Sequence, residues 1–317
     1  MNKKTGNEKI TTNQELSAQV KKWAEEQGYS LEMRVAKKFQ ESGFAVSQFE
    51  HFVDQESHDV RPVDVVATLS QDFGNCRIAI RLFAECKYSA KDKPWVIVVT
   101  SDKFDKYSFF SRMLKGVHPS NWATVNSLQG RMTARLIQSI ERNFGLDAFS
   151  IKNPGYAVAE AFKTQGDHAY EAIAQIGKCV EAHDNEAEDI YRTMLQSWEQ
   201  IDFQISPSQL GFFFSITFSM VVINGQLFES YLTENNVVEV SEIEYGTVFV
   251  PDRRRETIPN SEITLSPVTI VTEKYLDNYV TSMKVAMESI LSQTEAIQEV
   301  ISYEQEQIIN PHREDDF

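Results

Sequence analysis

Two stretches decide how this chain is read: Pro62-Val63-Asp64-Val65-Val66-Ala67 and Ala79-Ile80-Arg81-Leu82-Phe83-Ala84-Glu85-Cys86-Lys87. Both are dense in β-branched and apolar residues, which predicts strands. Successive side chains on a strand point to opposite faces, so Glu85 and Lys87 project together while Ile80, Leu82, Ala84 and Cys86 point the other way. The second strand is therefore expected to be apolar on one side and reactive on the other. Asp64 is the single carboxylate in the first stretch, set among Val63, Val65 and Val66. Burying a carboxylate in such company costs several kcal/mol unless it is paired or holds a metal ion.

An acid pair beside an amine suits metal-assisted phosphodiester hydrolysis. Two hard carboxylates hold Mg²⁺, and an ammonium orients the attacking water or steadies charge developing on the phosphate. The plainer account is an edge strand carrying an exposed Glu-x-Lys pair for solubility. The order of elements favours chemistry, because a helix bearing Glu32 precedes both strands. Glu32 also falls in the first turn of that helix, where the dipole alone would favour a carboxylate.

The succession of a helix with Glu32, a strand with Asp64 and a strand with Glu85-Cys86-Lys87 resembles the PD-(D/E)XK nuclease superfamily, with its restriction-endonuclease-like fold. The segment from Gly28 to Gly43-Phe44 is similar to the opening of the Mrr-like branch. Val63 stands between Pro62 and Asp64, so the literal Pro-Asp dipeptide is absent. The motif-bearing part covers about residues 28–90, with weaker likeness to about 232. The resemblance implies an α/β fold: a mixed central β-sheet flanked by helices, with a helical insertion and a C-terminal strand-and-helix extension. It further implies that Asp64, Glu85 and the Cys86 carbonyl bind Mg²⁺ or Mn²⁺, that Lys87 positions the nucleophilic water, and that Glu32 binds a second ion or orders that water. Gln175 and Lys178 resemble the glutamine-bearing helix of some Mrr-like nucleases and are supporting residues in this reading. The implied activity is a metal-dependent DNA endonuclease of prokaryotic restriction or anti-phage defence. A non-catalytic DNA-binding or scaffolding subunit and an RNA nuclease are the rival readings.

A net charge of −15 over 317 residues runs against DNA binding, since phosphate contacts supply most non-specific affinity. The distribution answers part of this. Residues 77–142 hold twelve Lys/Arg against five acids, a net +7, leaving −22 on the remainder. Within that segment Arg131, Arg135 and Arg142 recur at helical spacing on one face, as either a phosphate-binding stripe or a solvated face. Acidic surface elsewhere would repel nucleic acid from the wrong faces or meet a basic partner protein.

Cys76, Cys86 and Cys179 form no CxxC and no even framework, which argues against zinc and disulfides and suits a reducing cytoplasm. The N-terminus leads into polar residues, and no run reaches the roughly 18 apolar residues of a membrane span. The expected divisions are a polar segment and short helix (1–27), a core with a helical insertion (28–232) and an extension (233–317). Expected helices are 15–27, from a Ser30 cap to Gly43, 121–144, 169–182, 186–200 and 275–309. Asn224-Gly225 predicts a hairpin between strands 212–223 and 226–232, followed by strands 237–250 and 263–272. Arg253-Arg254-Arg255 reads as a solvated loop, His51 and His58 as surface residues. The last helix has an apolar face, with Val285, Ile290, Leu291, Ile297, Val300 and Ile301, suited to the core or to a homodimer.

Overall fold

The alternation in the two opening stretches is realised as paired strands of an α/β protein. The structure, a computed structural model, describes residues 13–26, 28–74, 76–88, 93–99, 114–116, 155–162, 167–199, 212–252 and 264–292. Helices α1 (Asn13–Glu26) and α2 (Tyr29–Glu41) lead into strands β1 (Ala45–Val53), β2 (Val60–Phe73) and β3 (Cys76–Lys87). Then come β4 (Trp95–Val99), β5 (Leu114–Gly116), β6 (Gly155–Glu160) and the long helix α3 (His168–Glu199). Strands β7 (Phe212–Ile223), β8 (Leu227–Leu232), β9 (Val238–Ile243), β10 (Tyr245–Asp252) and β11 (Thr264–Thr272) precede a 3-10 turn (Glu273–Tyr275) and α4 (Leu276–Leu291).

All eleven strands join one mixed sheet in the order β1-β2-β3-β7-β11-β10-β6-β4-β8-β9, with β5 beside β7. The β1, β2 and β3 pairs are antiparallel, whereas β3 runs parallel to β7 from Cys76↔Phe212 to Lys87↔Ile223. On one face, Leu31, Val35 and Phe39 of α2 and Tyr279, Met283 and Met287 of α4 pack over Ile80, Leu82, Ala84 and Cys86. On the other, Ala172, Ile173, Ile176 and Cys179 of α3 pack over Val63, Val66, Phe83 and Val221. Each fully buried side chain of this size contributes about 1.5–3 kcal/mol, so the helices are seated by both faces of β3. The sheet continues across the 232/233 boundary expected from sequence, because β11 lies between β7 and β10.

Helix α2 starts and stops by backbone geometry. Gly28 occupies the N-cap at φ 87, and its carbonyl accepts from Leu31 N and Glu32 N at 2.9 and 3.3 Å. Ser30, expected as the cap, falls inside the first turn because only glycine adopts that φ without cost. At the far end Gly43 has φ 88, Gly43 N donates to Gln40 O, and Phe44 N donates to Phe39 O. The Phe39 and Phe44 rings meet edge to face at 5.3 Å, completing a Schellman stop. Gly43→Ala is expected to destabilise the protein by about 1–2 kcal/mol, read as a lowered urea midpoint with an unchanged slope.

Four sequence expectations are corrected besides the Ser30 cap. The Asn224-Gly225 turn does not close a hairpin: β7 pairs with β3, β11 and β5, and β8 pairs with β4 and β9. Both edges of β7 are already taken, so the turn hands the chain onward, with Asn224 N donating to Lys87 O and Gln226 O accepting from Trp95 N. The helices expected at 169–182 and 186–200 are one helix, α3, since His183-Asp184-Asn185-Glu186 contains neither Gly nor Pro to stop it. The expected strand 237–250 is divided at Glu244 into β9 and β10. Val285, expected on the apolar face of the last helix, is exposed; Leu276, Tyr279, Met283 and Met287 form that face instead. Residues 1–12, the helix expected at 121–144 with Arg131, Arg135 and Arg142, the Arg253–Arg255 run and the last helix beyond 292 lie outside the described residues. Among the described residues no helix is long and apolar enough to cross a membrane.

Candidate active site

Asp64 sits where β2 is released from its neighbours. In the β1–β2 register every position from Ala45↔Thr68 to Val53↔Val60 has a partner except Phe49 opposite Asp64. On the other side the β2–β3 ladder ends at Val65↔Ala84, one position short of Asp64 and Glu85. The freed backbone is satisfied by a side chain: Cys86 N donates to Asp64 Oδ2 at 2.7 Å. The Asp64 carboxylate is thereby fixed against the end of β3. Such charge-assisted bonds are short and about twice as strong as neutral ones.

Glu85 and Lys87 share the β3 face that alternation predicts. Glu85 is buried, with 2% of its surface exposed, and Lys87 Nζ donates to its Oε1 at 2.6 Å. That face is not simply reactive, because Phe83 beside them is buried under α3. Cys86 points into the core between the sheet and helices α2 and α4, so only its backbone is at the site. From α3, Gln175 Nε2 donates to Glu85 Oε2 at 3.2 Å and to Pro62 O at 3.4 Å, tying Glu85 to the start of β2. Glu32 comes from the first turn of α2 and interacts electrostatically with Asp64 and Lys87.

Charge crowding is the main electrostatic feature. Burial first, then the Asp64 charge, pushes the Glu32 carboxyl from an ordinary 4.5 up to about 7, against the opposing pull of Lys87. Glu85 is pushed up to about 7 by burial and by Asp64, with Lys87 again opposing. Burial also raises Asp64, although the Cys86 N–H and Lys87 favour its ionised form. Burial would lower the Lys87 ammonium, but the charge and hydrogen bond of Glu85 outweigh it and the net shift is upward. Burial first, then the charges of Asp64, Glu85 and Glu32, pushes the Cys86 thiol well up, against the opposing pull of Lys87.

These carboxyls bind protons more tightly folded than unfolded, so stability falls as pH rises from 4.5 towards about 7, where the unfolded chain ionises first. Below that window both states are protonated and the effect vanishes. In EDTA the melting temperature is expected to fall across the window. Asp64→Asn, which keeps an acceptor for Cys86 N, is expected to flatten the fall. An equally steep fall in the variant would place its origin elsewhere.

Lys178 is not at this site. Its Nζ donates to Asp54 Oδ2 at 3.0 Å and to Glu56 Oε2 at 2.6 Å in the β1–β2 connection. Asp54 has no exposed surface; it also accepts from Glu56 N and Ser57 N, and Arg61 Nε lies 3.1 Å from its Oδ2. Burial opposes its ionisation, yet the Lys178 hydrogen bond, the Ser57 N–H and the Lys178 and Arg61 charges outweigh that and hold the carboxyl below its ordinary value. Gln175 and Lys178, one turn apart on α3, thus hold the start of β2 at Pro62 and the β1–β2 connection at Asp54 and Glu56. Asp54 was not legible in sequence, because nothing in Asp54-Gln55-Glu56-Ser57-His58-Asp59 separates it from Asp59. His51 and His58 are exposed, as expected.

Compared with known protein families, characterised proteins and solved structures, the chain matches none.

Proposed function

We propose that the chain is a metal-dependent DNA endonuclease of the PD-(D/E)XK superfamily, with a restriction-endonuclease-like core within its sheet and a role in prokaryotic restriction or anti-phage defence. The observation that carries this reading is the meeting of Asp64 with Glu85-Cys86-Lys87 at the point where the β1–β2–β3 ladder opens. The donor set fits Mg²⁺ or Mn²⁺. Among the described residues no group of three or more His, Cys, Asp and Glu side chains is arranged to hold a metal, and Mg²⁺ characteristically takes only one or two carboxylates and keeps several waters. Asp64, Glu85 and the Cys86 carbonyl would hold the ion. When bound it would polarise a phosphoryl oxygen and acidify water.

The chain's own residues supply the rest. Lys87, pinned to Glu85, presents an ammonium where charge develops on the phosphate. Gln175 keeps Glu85 from turning away. Glu32, carrying its proton near neutral pH, is suited to exchange one with the attacking water or the leaving oxygen.

A second reading, a non-catalytic DNA-binding or scaffolding subunit of a defence complex, draws on the direct Lys87–Glu85 ion pair, which neutralises the carboxylate without a metal. Supercoiled plasmid and circular single-stranded DNA incubated with purified full-length protein in EDTA, Mg²⁺ or Mn²⁺ separate the two. Cleavage of either DNA with metal and none in EDTA supports the nuclease; both DNAs intact in all three conditions supports the subunit.

A further inference from the structure

Phe49 is strained, exposed and aligned with Asp64. Its φ of 62 places a bulky aromatic residue in the left-handed region, which such residues rarely enter. It is 57% exposed, and it is the one β1 position in the register whose counterpart, Asp64, goes unpaired. Past the other flank of the site Tyr88, the residue after Lys87, is 53% exposed. Exposed aromatic residues therefore stand on the β1 side of Asp64 and beyond the end of β3.

A ring in that position offers a π-face to a nucleobase, and stacking of this kind is tolerant of sequence. A duplex keeps its bases stacked on one another, whereas a single strand exposes them. The net charge of −15, even with the +7 of residues 77–142, disfavours the phosphate neutralisation on which duplex affinity leans more heavily than single-strand affinity, while base stacking does not draw on it. The near-complete burial of Glu85 also recesses the reacting groups, which a pliable strand reaches more readily than a stiff duplex.

We infer that the site takes single-stranded DNA, and that Phe49, with Tyr88 beyond Lys87, stacks on unpaired bases next to the phosphodiester. The identity of this ligand rests on the nuclease reading. Fluorescence anisotropy tests it with the full-length protein in Ca²⁺ and a short labelled DNA strand, its duplex and the RNA of the same sequence. The single DNA strand is expected to bind most tightly. Phe49→Ala is expected to weaken it by roughly tenfold or more, with Phe49→Trp retaining it. Phe49→Gly relaxes the backbone but removes the ring, and is expected to bind as poorly as Phe49→Ala. Tighter binding of duplex or RNA, or wild-type affinity in Phe49→Ala or Phe49→Gly, overturns the inference. If either DNA is cut but Phe49→Ala binds the strand normally, stacking is wrong and the nuclease reading stands. If Phe49-dependent binding occurs with no cutting in Mg²⁺ or Mn²⁺, the nuclease reading is wrong and stacking stands.

Discussion

Asp64→Asn is expected to abolish cleavage while raising the melting temperature of the metal-free protein at about pH 8. The two effects have one cause. Asp64 holds its negative charge beside Glu32 and Glu85, and burial pushes its own carboxyl up. Without a cation that charge costs stability above the carboxyls' raised values; with a cation it is the reason the ion binds. Removing the charge while keeping an oxygen for Cys86 N relieves the cost and preserves the fold. The lost metal interaction supplies several kcal/mol of transition-state stabilisation, so the rate is expected to fall by about a thousandfold or more. Glu85→Gln is expected to lose activity to the same extent, but without the stability gain, because Lys87 loses its 2.6 Å partner. Cleavage at the wild-type rate by either folded variant would remove Asp64 or Glu85 from the mechanism.

Lys87→Arg is the second large effect. The substitution keeps the charge but replaces a compact ammonium by a planar fork. Lys87 is held between Glu85 and the end of the sheet, with 29% of its side chain exposed, so the wider group has little room to place a water or phosphate oxygen equivalently. A loss of about a hundredfold or more in single-turnover rate is expected, comparable to removing one preorganised donor, with DNA affinity and melting temperature nearly unchanged. Equal single-turnover rates in Mg²⁺ would mean that Lys87 only neutralises Glu85.

The local part of this arrangement was legible in the sequence. Alternation in Ala79–Lys87 assigned Ile80, Leu82, Ala84 and Cys86 to one face and Glu85 and Lys87 to the other, and the buried residues follow it. The chemistry of Asp64 among valines marked it for the same reason: an acid in apolar company needs a partner, and here it has Cys86 N. What depends on distant pairing was not legible. Asn224-Gly225 is a sound turn signal, but whether two strands joined by a turn also pair is decided by which edges are free, and β3 and β11 had taken both edges of β7. Gln175 and Lys178 look alike in sequence as polar residues one turn apart, yet one reaches Glu85 across 90 residues of chain and the other Asp54 across 124. The break in the ladder at Phe49 has no sequence signature either, since Phe normally favours regular strand.

The central claim ties metal occupancy of Asp64 and Glu85 to phosphodiester cleavage, and one titration reads both. Mn²⁺ is added to metal-free full-length protein while bound ion is followed by electron paramagnetic resonance and DNA cleavage is measured in parallel samples. Cleavage rising with the filling of a Mn²⁺ site in the wild type, and loss of both uptake and cleavage in Asp64→Asn and Glu85→Gln, is the predicted result. Cleavage in EDTA, or Mn²⁺ uptake that the two substitutions leave unchanged, would contradict it.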